Sequence, residues 1–121
     1  GVSDASTGIY EGAVGTGATA APDPEAVTPG VSNDYLAIEA FFIDIATVLN
    51  TASTGYTING TVSSAGQVRM AVAEKTFTGT TDDPDAAALA SSVQVHRMVV
   101  AIPAASTSTN TGALMLLGVG R

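Results

Sequence analysis

The chain has one histidine, His96, and no cysteine, so the chemistry open to it is narrow. His96 stands beside Arg97 in an apolar stretch, without the G-x-S-x-G elbow or any comparable nucleophile context that a Ser-His-acid arrangement requires. A lone histidine in such a run reads as structural. Thiolate metal sites and disulfides are both excluded. The acidic cluster Asp82, Asp83 and Asp85 lacks the spacing and distal glutamate of a calcium loop. It reads as a helix start, with Asp83 as cap, Pro84 at the first helical position and Asp85 favouring the dipole.

Gly15, Gly17 and Ala20 match the G-x-G-x-x-A fingerprint of dinucleotide sites, but that fingerprint works by aiming a helix N-terminus at pyrophosphate. Pro22, Pro24 and Pro29 deny the segment a helix. Asn59-Gly60-Thr61 fits a glycosylation acceptor, which matters only in a secretory setting. No catalytic residue, no cofactor and no metal site is expected.

The element that organises the remainder is the stretch Asp34 to Asn50. At 100° per residue, Tyr35, Ile38, Phe41, Phe42, Ile45, Val48 and Leu49 fall in one arc, as on the core face of an amphipathic helix. Asn33 would cap it, and Asn50 would begin its stop. Opposite that arc, Leu36, Ala40, Ile43 and Thr47 form a second stripe, which a helix buried on one side leaves uncovered. Leu36 and Ile43 are therefore candidate interface residues.

Before the helix, residues 1–31 read as a Gly/Ala/Pro-rich arm with a short strand from Thr7 to Val14. Extended, Glu11 to Val31 spans roughly 60–70 Å, enough to reach a neighbouring molecule. Ile9, Tyr10 and Val14 complete the expected interface set. After the helix, Tyr56 to Ser63 and Gln67 to Phe77 alternate like the two arms of a hairpin, with Val68, Met70 and Val72 on the packed side. A short helix is expected within Thr80 to Val93. Val93 to Pro103 and Gly112 to Gly120 read as strands without a polar face, and such strands need cover on both sides. The expected fold is α+β: one domain over residues 32–121, its long helix on a mainly antiparallel sheet, with the extended arm in front.

Eleven acidic residues against four basic ones give a formal charge of −7, which opposes phosphate-backbone binding, so nucleic acid is not an expected partner. No run is long and apolar enough for a membrane helix, and no membrane partner is expected. Gly1 would follow either a removed initiator methionine or a cleaved leader. Only 12% of residues are charged, and Ala, Gly, Ser and Thr dominate, which leaves much neutral surface suited to permanent neighbours.

In these respects the chain resembles the small, cysteine-free, Ala/Gly/Thr-rich virion proteins of tailed bacteriophages. That resemblance is one of overall style and carries no motif. It implies a non-enzymatic structural subunit that builds or decorates a capsid or tail. Its partners would be copies of itself, as a homo-oligomer, and other proteins of the virion. The alternatives are an extracellular filament subunit assembled by strand donation from Thr7 to Val14, and a small enzyme or ligand-binding module around His96.

Overall fold

The computed structural model of the chain describes residues 8–45, 48–64 and 67–105. Among them every regular element is a strand: β1 (Tyr10–Glu11), β2 (Gly15–Thr19), β3 (Asn33–Asp44), β4 (Leu49–Thr51), β5 (Thr57–Ser64), β6 (Val68–Gly79), β7 (Ala88–Leu89) and β8 (Val93–Pro103). The fold is all-β, not α+β. A six-stranded antiparallel sheet runs in the order β1-β8-β3-β6-β5, with β2 also on β8, and β4 pairs with β7 in a small second ladder.

The expected long helix is instead the central strand β3, followed by Leu49–Thr51 in the small ladder. Along β3 the buried positions are Tyr35, Ala37, Glu39, Phe41 and Ile43, a strict period of two. Leu36, Ile38, Ala40 and Phe42 face the other way. Because both sets are largely apolar, the segment satisfies a helical arc as well as an alternation, and the aromatic and β-branched residues decide for the strand. Glu39 on the inner face hides the alternation from a reading that keeps carboxylates in water. The short helix expected after Thr80 is absent as well: Asp82 makes an isolated bridge to Val27, and Ala88–Leu89 is a strand.

The hairpin of β5 and β6 forms, but with its faces reversed from expectation. Ala71 and Ala73 point into the core, whereas Met70 is exposed and Val72 half-buried on the outside. The register shifts between Ile58 and Gly60. That bulge lets Ile58 face inward opposite Ala73 while Val62 sits outward opposite Met70. β8 spans Val93–Pro103 as the apolar run predicts. The run Gly112 to Gly120 lies outside the described residues.

From Gly8 onward the N-terminal region lies on the domain itself. Tyr10–Glu11 and Gly15–Thr19 pair with β8, and Val27 is fully buried in the core.

The core lies between the inner face of the sheet and the loops that cross it. One cluster gathers Val27, Tyr35, Ala37, Tyr56, Ala73, Val99 and Ala101; a second gathers Phe41, Ile43, Leu49, Ala71, Ala87, Leu89 and Val95. Tyr35 stacks on Phe77 at 5.1 Å, meets Tyr10 edge-on at 6.0 Å and donates its hydroxyl to the Val31 carbonyl at 2.8 Å.

The domain is internally two-fold. The unit β2–crossover–β3 repeats as β6–crossover–β8 at one constant offset in sequence. Gly17 pairs with Val95 as Gly79 pairs with Asn33, and the central ladder of β3 on β8 maps onto itself, Tyr35↔Pro103 becoming Phe41↔Arg97. The residues repeat too: Thr16, Gly17, Thr19, Pro22 and Asp23 recur as Thr78, Gly79, Thr81, Pro84 and Asp85. Both glycines carry the same positive φ, 158° and 154°, and both prolines are buried. The crossovers hold each other. Val27 and Asp82 exchange two backbone hydrogen bonds of 2.9 Å, and Leu89 N–H to Ala20 C=O repeats one of them by symmetry.

Candidate functional site

Two places in the domain break the ordinary rules of burial, one inside the sheet and one outside.

Inside, Glu39 lies at the middle of β3 between the two core clusters with no exposed surface, opposite Ala73 and Val99. Neither carboxylate oxygen has a hydrogen-bond partner. Burial pushes its carboxyl up to about 7, against the Ser53 hydroxyl and backbone and the Lys75 ammonium, which favour the charged form. Beside it Lys75 Nζ stands 2.5 Å from Asp82 Oδ1 and 4.7 Å above the Tyr56 ring. Tyr56 donates its hydroxyl to Asp82 Oδ2, and burial, then that hydrogen bond, raise the phenol's pKa. Asp85 accepts from the Thr54 N–H and hydroxyl, both at 2.6 Å, which lowers its pKa.

Each acidic residue of the expected capping cluster thus has its own task or faces solvent. Asp82 pairs with Lys75, Asp85 fastens the Thr54 turn, and Asp83 is exposed. Among the described residues no group of three or more His, Asp or Glu could hold a metal ion. The inner cluster is a cross-brace: it ties β6, through Lys75, to the crossover that follows it and to the turn before β5. A cation is already supplied there by Lys75.

Outside, the face of the sheet opposite the core carries Leu36, Ile38, Ala40 and Phe42 on β3. Met98, Val100 and Ile102 lie beside them on β8, Met70 and Val72 on β6, and Val62 on β5. With strands about 4.8 Å apart and about 3.3 Å per residue, the ten apolar positions cover about 300 Å², a size that is often functional on a monomer's surface. Glu74, opposite Ile38, and His96, opposite Phe42, are the titratable groups within it; Glu11 lies at its margin, and Asp44, opposite Val68, at its end. At the His96 end the strip dips into a depression of about 230 Å³ floored by Phe42 and Val68. Val62 is 73% exposed and Phe42 42%.

The interface residues expected from the sequence fall in three places. Ile9 and Val14 are exposed near the β1–β2 margin, Tyr10 is half-buried against Tyr35, and Leu36 is half-buried on the outer strip. Ile43 has no exposed surface and packs in the core of its own chain. The outer residues Phe42, Met70, Val62 and Val100 lie outside the expected set: the helical period puts Phe42 on the core arc, and the hairpin reading puts Met70 on the packed side. A period of two along β3 turns Phe42 outward, and the ladder register brings the other three to the same face. His96 is exposed at the edge of the strip, opposite Thr16 and Phe42. Gly15 and Gly17, the glycines of the dinucleotide-like motif, sit in the extended strand β2.

The chain matches no protein-family model, no curated protein and no solved structure.

Proposed function

We propose that this chain is a non-enzymatic structural subunit of a repeated assembly, a component that builds or decorates the capsid or tail of a bacteriophage virion. The observation that carries the assembly reading is the outer face of the sheet. Its central strands are apolar on both sides, yet among the described residues the domain's own loops cover only one. Leaving about 300 Å² of such surface in water forgoes at most about 7 kcal/mol of burial, which a second protein surface would recover in part. The virion reading adds the low charge and the Ala/Gly/Thr-rich composition.

The test is solution mass by light scattering, comparing the full chain with Phe42→Asp and Met70→Asp. Both positions are partly exposed, so the fold should survive with a stability loss of about 1–2 kcal/mol. A concentration-dependent oligomer that either variant weakens supports the reading. A compact monomer at every concentration overturns self-assembly as the function.

A further inference from the structure

The internal two-fold leaves one strand without a counterpart. β6 carries β5 along its outer side, while β2, which occupies the place of β6 in the other half, carries no strand on its outer side among the described residues. The two halves are otherwise paired in matching register. β2 is already an extended five-residue ladder strand on β8, so its outward backbone groups are set for pairing.

Its chemistry invites a partner. Strands at sheet edges are usually blunted by lysine, proline or an inward charge. Gly15–Thr19 reads GTGAT, with none of these. In a chain of net charge −7, an uncharged edge is a place where a second copy can approach without direct repulsion.

We propose that β2 of one copy pairs with β2 of a second copy turned by 180° about the normal to the sheet. The position beside β2 calls for a strand antiparallel to it, as β5 is antiparallel to β6. Only the two-fold partner supplies β2 in that direction. A copy shifted sideways would bring its β5 to the same edge in parallel, the less stable pairing. The interface is isologous and closed. It joins two sheets into one and keeps both outer apolar strips on the same side. Outward residues then oppose outward residues, Thr16 and Ala18 facing Thr16 or Ala18 of the other copy.

The proposal rests on the reading of the chain as an assembly subunit, and the two can fail separately. The chain has no native cysteine, so Thr16→Cys and Ala18→Cys, made separately in the full chain, report the contact alone and when mixed. A short bis-maleimide should give a cross-linked dimer in at least one combination, at a yield roughly tenfold above a Thr61→Cys control on β5, because pairing raises the local thiol concentration. Light scattering on the same samples shows whether each variant still assembles.

Oligomers without cross-linking through β2 overturn the edge contact and leave the assembly reading standing. Cross-linking of Thr61→Cys, with itself or with a β2 variant, overturns the contact in favour of β5. Monomers throughout overturn both.

Discussion

Lys75 Nζ lies 2.5 Å from Asp82 Oδ1 on the inner side of the sheet, and the same aspartate accepts the Tyr56 hydroxyl. One side chain thus joins a central strand to the crossover loop and to the residue that leads into β5. The pair is largely shielded, with side chains 20% and 9% exposed. In such surroundings the loss of one partner strands the other.

Lys75→Met should therefore destabilise the domain by about 2–4 kcal/mol, as should Asp82→Asn. The double variant Lys75→Met/Asp82→Asn should recover part of the loss, because no charge is then left alone. Urea denaturation of the four proteins closes the cycle. Equal and additive losses would show that the two side chains act independently.

Glu39 gives stability a pH dependence of known sign. Burial pushes its carboxyl from the ordinary 4.5 up to about 7 in the folded chain, so between these pH values the folded state holds a proton that the unfolded state has released. The stabilisation is complete below about pH 4.5 and is lost as pH rises to about 7, amounting to on the order of 3 kcal/mol. Glu39→Gln should flatten the fall in melting temperature between these pH values and should be the more stable protein at pH 8. A wild-type chain whose stability rises through this window would contradict the assignment.

Gly17 and Gly79 form a matched pair of probes for the internal two-fold. Each has a φ that side chains avoid, and an added Cβ would have open space at Gly17 and nothing nearer than 3.9 Å at Gly79. The cost of alanine is then backbone strain alone, about 1–3 kcal/mol at either site. Gly17→Ala and Gly79→Ala should lose similar stability in denaturant titrations. A loss at Gly79 without one at Gly17 would mean that the two crossovers are not mechanically equivalent.

The parts of the fold that the sequence displays are those whose two faces differ. β5 is polar enough to read as a strand, and the turn after it marks a hairpin. β3 is the opposite case. With Leu36, Ile38 and Phe42 on one side and Tyr35, Phe41 and Ile43 on the other, its apolar residues fill a helical arc and both faces of a strand. Glu39 then masks the period of two.

The same ambiguity selected Ile43 as an interface residue and passed over Phe42. On β6 the larger residues Met70 and Val72 face out because alanines at 71 and 73 let the crossovers approach the inner face, a choice of layer that side-chain size on one strand does not reveal. The repeated Thr-Gly and Pro-Asp pairs were visible in the chain as written. Their spacing is the signal that identifies the two crossovers as copies and rules out a helix after Thr80.

The mutual grip of Val27 and Asp82 has a kinetic consequence. Each crossover is held in place by the other, and the two come from opposite ends of the described chain, so neither β–crossover–β unit can complete itself before both have formed. Local hairpin formation by β5 and β6 can precede this step, but the central ladder of β3 on β8 closes only with it. Folding governed by such distant partners belongs to the slow range of small domains, about milliseconds to seconds. Until then the crossover residues Val27, Ala87 and Leu89 do not cover the inner face of β3 and β8, so slow closure lengthens the time in which those apolar strands can meet other chains.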